Sequence, residues 1–201
     1  MKDFLNGEKI ESSELVIAAV KPKNYRKIEK YAHKNNLACN IVCSIIGMHD
    51  EIQYLDVFKP VDDEIIVEAG AFDGMTALRF LEWGGDKIKH IYSFEIDLAS
   101  AEVCEKNLKA HADKITLVKK GTWDKNETLY VNSSGGSGSS VSSVGSTEIY
   151  LTTIDSVVRD EKVTFIKMDV EGAELNALRG AVETIKRDKP NLAICVYHKT
   201  E

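Results

Sequence analysis

From residue 64 onward, short apolar runs alternate with stretches of helical period. The runs cover residues 65–68, 90–95, 115–119, 164–169 and 192–197 and are rich in Ile, Val, Phe and Tyr. Continuous short runs of this kind suit strands buried on both faces of a parallel sheet. Between them, residues 75–83 place Leu78, Phe80 and Leu81 near one side, and residues 98–110 carry Ala101, Val103, Cys104 and Leu108. Residues 173–185 carry Leu175, Leu178, Ala181, Val182 and Ile185 at helical spacing. Strand–helix alternation implies right-handed crossovers, and so predicts an α/β fold with a doubly wound, mostly parallel sheet and helices on both faces.

An insertion interrupts this alternation between the third and fourth runs. Residues 127–131 and 148–153 alternate like the strands of a hairpin and flank a Ser/Gly tract at 132–146. The tract reads as a flexible surface loop, with a lid near a ligand as the alternative. The first 58 residues have a different pattern. Residues 15–20 are strand-like, and Pro22 suits a helix start. Tyr25, Ile28, Tyr31 and Ala32 make an apolar stripe up to Leu37, and residues 38–46 are again strand-like. The expected organisation is a strand–helix–strand extension over 1–58 and a core over 59–201, with 50–58 covering one edge of that core.

Composition narrows the class. Apolar residues make up 43% and charged residues 29% of 201 residues, as in a soluble globular chain. No apolar run approaches the ~20 residues of a membrane helix, and the first residues lack the apolar segment of a secretory signal. A cytoplasmic protein with no membrane partner is expected. The net charge of −6 disfavours nucleic acid, whose phosphates call for a basic surface. Four cysteines without a signal do not suggest disulfides. Cys39 and Cys43, flanked by His33 and His49, lack the spacing of a zinc knuckle and read better as part of a buried strand. No metal is expected, although the acids described next have the chemistry to hold Mg²⁺.

The candidate chemistry sits at the ends of the predicted strands. The first run passes through Glu68 into Gly70-Ala71-Phe72-Asp73-Gly74 and then a helix. Two glycines allow a sharp turn and close approach of a ligand, and exposed N–H groups at the helix start would favour an electron-rich group. The dinucleotide pattern G-x-G-x-x-G is absent. The second run ends in Glu95, where a carboxylate can accept both hydroxyls of a ribose; the alternative role, capping the next helix, suits Asp97 better. After the third run come Gly121, Thr122 and Trp123, which could border a nucleobase. Trp123 either stacks there or fills the core. Lys167, Asp169 and Glu171 alternate onto one side at the end of the fourth strand, and His198 follows the fifth. In a doubly wound sheet, ligands bind at this rim.

Together, VEAGAFDG, FEID, GTWD, IKMDVEGAE, the run 178–181 and ICVYHK resemble the FkbM-type methyltransferases over roughly residues 50–201. The pairing of IKMDVEGAE with YHK is the most specific part. The resemblance implies a class I, Rossmann-like fold and use of S-adenosylmethionine. It also implies methylation of hydroxyls on sugars or secondary metabolites. It maps the cofactor motif onto Glu68, Gly70 and Gly74 with Ala71, Phe72 and Asp73 between them, the ribose acid onto Glu95, and the acidic motif onto Asp169 and Glu171. Glu68 would take the cofactor's ammonium, directly or through water.

The reading from the sequence is therefore an S-adenosylmethionine-dependent O-methyltransferase acting on a small-molecule or glycan acceptor. Asp169, Glu171 and His198 are the candidate bases. The rivals are a non-catalytic binding or assembly module on the same fold and a nicotinamide-dependent oxidoreductase. The family continues past YHK with a further helix and usually a hairpin, whereas this sequence ends at Glu201, so the core is expected to be truncated. The free side of the strand at 192–197 should then recruit an N-terminal strand, or pair with another molecule as a homo-oligomer. Cofactor binding should survive such truncation, and turnover should be poor.

Overall fold

The computed structural model describes residues 15–18, 39–42, 55, 58–131 and 147–195. Ten strands appear among them: β1 Leu15–Ala18, β2 Cys39–Val42, β3 Glu64–Ala69, β4 Ile88–Phe94, β5 Ile115–Val118, β6 Gly121–Thr122, β7 Glu127–Val131, β8 Thr147–Thr152, β9 Phe165–Met168 and β10 Asn191–Cys195. The helices are α1 Met75–Gly84, α2 Leu98–Leu108, α3 Ile154–Val158, α4 Glu174–Arg179 and α5 Val182–Asp188.

Seven strands form one sheet in the order β2-β1-β10-β9-β3-β4-β5, with every pair parallel. From β3 the chain winds outward through β4 and β5, then returns to β9 and β10 on the other side. The reversal falls between β3 and β9, where a doubly wound sheet opens a crevice at the strands' carboxyl ends. All five predicted core strands are present. The outer side of β10 is covered by β1 in register from Leu15↔Leu192 to Ala18↔Cys195, so an N-terminal strand does take up that edge.

Strand alternation divides the core into two layers. Ile65, Val67, Ile166, Met168, Leu192 and Ile194 face α3, α4 and α5 through Ile154, Val158, Leu178 and Ile185. Ile66, Ile91, Ile115, Phe165 and Ala193 face α1 and α2 through Ala77, Phe80, Cys104 and Leu108. Leu55 and Phe58 are buried in this second layer. Phe58 and Phe80 meet the Phe165 ring edge-on at 5.1 and 5.4 Å. Trp83 donates to the carbonyls of both Leu55 and Phe58. Leu55 and Phe58, the described residues of the 50–58 segment, therefore pack into the core layer that also holds α1.

Two expectations are corrected. The helix expected over 173–185 is two helices that meet at Gly180, where a Cβ would stand 1.9 Å from the Trp123 carbonyl oxygen. Val103 lies on the solvent side of α2, while Ala101, Cys104 and Leu108 are buried. Gly121 and Thr122, which follow the third run, lie outside the seven-stranded sheet. They form a strand of a second sheet, β6-β8-β7, pairing with Leu151 and Thr152. The expected hairpin is present as antiparallel β7 and β8, and the Ser/Gly tract lies outside the described residues. So do residues 19–38, on which the N-terminal helix was placed. Among the described residues, no helix is long and apolar enough to cross a membrane.

Candidate functional site

The loop after β3 is held from several sides. Gly70 and Gly74 have φ of 84° and 83°, in the region that favours glycine. A Cβ on Gly70 would stand 2.0 Å from the Asp169 carbonyl oxygen, and one on Gly74 would touch Cys104 and Leu108 at 3.0 Å. The glycines thus admit the backbone of the β9 loop and the side of α2. The N–H groups of Gly70 and Ala71 both donate to the Phe94 carbonyl, at 3.0 and 2.9 Å, and Gly74 N donates to the Ala71 carbonyl. Phe72 N donates to Glu95 Oε2 at 2.7 Å, and Met75 N to Asp73 Oδ1 at 3.1 Å. These donors of the turn are taken up within the loop and by the end of β4.

Glu95 is 8% exposed and accepts one backbone N–H on each oxygen, from Phe72 and from Asp97 at 2.8 Å. Asp97 caps α2 by accepting from Ser100 N at 2.8 Å. The geometry gives Glu95 a second task the sequence did not suggest: it ties the glycine loop to the end of β4. Beside it, Phe72 is 68% exposed with φ 51°, and Ile96 is exposed as well. An aromatic ring held outward on a left-handed backbone is an uncommon arrangement.

Beneath the loop runs a polar row. Glu68 pairs in register with Ser93 on β4 and Lys167 on β9, on the face shared with α1 and α2. Glu68 is fully buried; Oε2 accepts from Ser93 Oγ at 2.8 Å, and Oε1 has no protein partner. Burial pushes its carboxyl up from 4.5 to about 7, against the opposing pull of Lys167 and the Ser93 hydrogen bond. Lys167 is 6% exposed, and its ammonium donates to the Gly70 carbonyl at 2.7 Å. Ser93 was missed in the sequence, although a serine inside the apolar run IYSF was the available signal. Lys167 was noticed without a role.

The strict alternation expected for Lys167, Asp169 and Glu171 ends with β9 at Met168. Lys167 reaches back under the glycine loop. Asp169 is half-buried and takes a hydrogen bond from the Cys195 thiol. Glu171 is exposed in the following turn with φ 53°, and Gly172 N there donates to Glu174. Thr122 is buried with an unpartnered Oγ1, and Gly121 lacks room for a side chain because Ile96 and Leu151 lie within 2.8 Å of where it would be. Trp123 is half-buried, with its backbone N–H donating to the Thr152 carbonyl. His198 lies outside the described residues. Burial pushes the thiols of Cys104 and Cys195 up to about 12, which keeps them protonated and poor nucleophiles. Among the described residues, no three His, Cys, Asp or Glu side chains gather to hold a metal.

The fold and this strand-end constellation define the class: an α/β protein with a doubly wound parallel sheet and a polar rim at its switch point. The methyltransferase FkbM domain family matches residues 68–201, two thirds of the sequence, and the chain belongs to that family. A crystal structure of methyltransferase FkbM from Methylobacillus flagellatus KT shares the fold. Its TM-score is 0.56 at 17% identity, over 91% of this chain and 64% of that one. This chain thus spans somewhat less than two thirds of that protein's length. No curated protein matches the sequence.

Proposed function

We propose that the protein binds S-adenosylmethionine at the rim formed by β3, β4, β6 and β9 and directs its methyl group to a hydroxyl of a sugar or secondary metabolite in the cytoplasm. The observation that carries this reading is the pair of buried polar atoms without protein partners, Glu68 Oε1 near the end of β3 and Thr122 Oγ1 at the end of β6 in the second sheet. Leaving such an atom unpaired costs about 1–3 kcal/mol, which a bound ligand would remove. Membership of a methyltransferase family supports the reaction, and the resemblance of IKMDVEGAE and YHK supports the hydroxyl acceptor.

The residues present fit that cofactor. Glu68 offers a carboxylate oxygen to an ammonium, and Glu95 keeps a second lone pair on each oxygen for ribose hydroxyls. Phe72 and Ile96 supply apolar surface beside it, with Gly121, Thr122 and Trp123 bordering the base. When bound, the cofactor supplies a methyl group already activated by its sulfonium charge. The protein's share is to orient the acceptor hydroxyl, exclude water and take up the hydroxyl proton. Asp169, Glu171 and His198 are the candidate proton acceptors. Titration calorimetry with S-adenosylmethionine, S-adenosylhomocysteine, NAD and NADP tests the reading, followed by a search for methylated glycans. Saturable S-adenosylhomocysteine binding is expected, and NAD binding without it would overturn the proposal.

A further inference from the structure

The geometry points to Lys167 as the positioning residue of the cofactor loop: its ammonium, balanced by Glu68 on the neighbouring strand, clamps the Gly70 carbonyl and holds residues 70–74 in their ligand-receiving shape. This inference rests on the proposed cofactor site and adds a residue to it.

A lysine inside a parallel sheet needs a reason, because its charge is costly to bury unless paired and hydrogen-bonded. Lys167 has one direct partner, the Gly70 oxygen 2.7 Å from Nζ, and the Glu68 carboxyl, its register neighbour, offsets the charge through space. Its stem continues the line of Phe165 on the α1 and α2 face, so an apolar residue would serve packing equally well there. The charged head instead reaches the one peptide at which β3 becomes the glycine loop. With that carbonyl held, the Gly70 and Ala71 amides fall onto Phe94 and the next amide onto Glu95. The clamp therefore sets the position of Glu95 relative to the loop, and with it the two groups assigned to ribose and methionine. The charged groups facing Glu68 in this cluster are Lys167, Glu95 and Asp73; only Lys167 is a cation.

The test is calorimetric binding of S-adenosylhomocysteine to the full chain, to Lys167→Met, which keeps the stem, and to Lys167→Arg, which keeps the charge and donor. Loss of a charge-assisted hydrogen bond predicts about tenfold or greater weakening for the methionine variant. The arginine variant should recover most of that affinity. Carboxyl-carbon NMR of Glu68 supplies a readout that mere packing of the stem would not move: its titration, about 7 in the parent, shifts to higher pH once the cation is gone. Parent affinity and an unmoved titration in Lys167→Met would overturn the assignment. A parent that fails to bind S-adenosylhomocysteine would instead sink the cofactor reading itself, and this inference with it. Should Lys167→Met not fold, nitrogen-selective NMR of the unaltered chain decides. A resolved Lys167 ammonium in contact with Gly70 supports the clamp, and its absence refutes it.

Discussion

Replacing Gly70 by alanine puts a Cβ 2.0 Å from the Asp169 carbonyl oxygen, where real contacts essentially never fall below 3.0 Å. The β9 loop must retreat by the difference, about 1 Å, against groups that hold it. Asp169 N is bonded to the Ala69 carbonyl at 3.0 Å, and the Gly70 carbonyl is held by Lys167. Weakening one neutral and one charge-assisted bond costs about 2–4 kcal/mol. The φ of 84° adds about 1–2 kcal/mol for a residue with a Cβ. At roughly 2–4 °C per kcal/mol for a domain of this size, the melting temperature should fall by about 6–24 °C. Gly85→Ala is the control, since it too has a positive φ, 56°, but nothing lies within 4 Å of the added Cβ. Its expected cost is the backbone strain alone, about 1–3 kcal/mol. Thermal unfolding of both variants reads the difference. If Gly70→Ala melted within about 2 °C of Gly85→Ala, backbone contact between β3 and β9 would not be what requires glycine there.

Three further outcomes are expected. Glu95→Ala should weaken S-adenosylhomocysteine binding by about 1–3 kcal/mol in calorimetry, through lost hydrogen bonds and a freed Phe72 amide; equal affinity would remove Glu95 from the site. Glu68 has its carboxyl raised in the folded state, so its protonated form is the one folding favours. Its contribution is complete below the unfolded value of 4.5 and is lost as pH rises to about 7. Relative to Glu68→Gln, the parent should therefore lose about 3 kcal/mol across that window in denaturant titrations, and parallel curves would refute the burial argument. Asp97→Ala removes the cap of α2 and should lower stability by about 1 kcal/mol, as read by chemical unfolding, without changing cofactor affinity.

The sequence by itself determined the layers and the order of the core. Five apolar runs too short for helices, separated by segments of period 3.6, leave a doubly wound parallel sheet as the economical arrangement, and all five strands are found. It also located the strand ends at which Glu68, Glu95 and Asp169 stand, because acids there interrupt otherwise apolar patterns. Tertiary structure decided what those groups do. Glu68 meets Ser93 and Lys167 only through register, and register depends on pairings across long stretches of chain that no local pattern encodes. Glycine in VEAGAFDG was legible, but its reason was not: the atom that excludes a side chain at Gly70 belongs to Asp169, ninety-nine residues later. The need for glycine at Gly180 has the same origin, a carbonyl from a distant loop. Patterning reports which surfaces must be buried; which backbone then comes close enough to forbid a Cβ, or to claim a buried ammonium, is settled only when the strands dock.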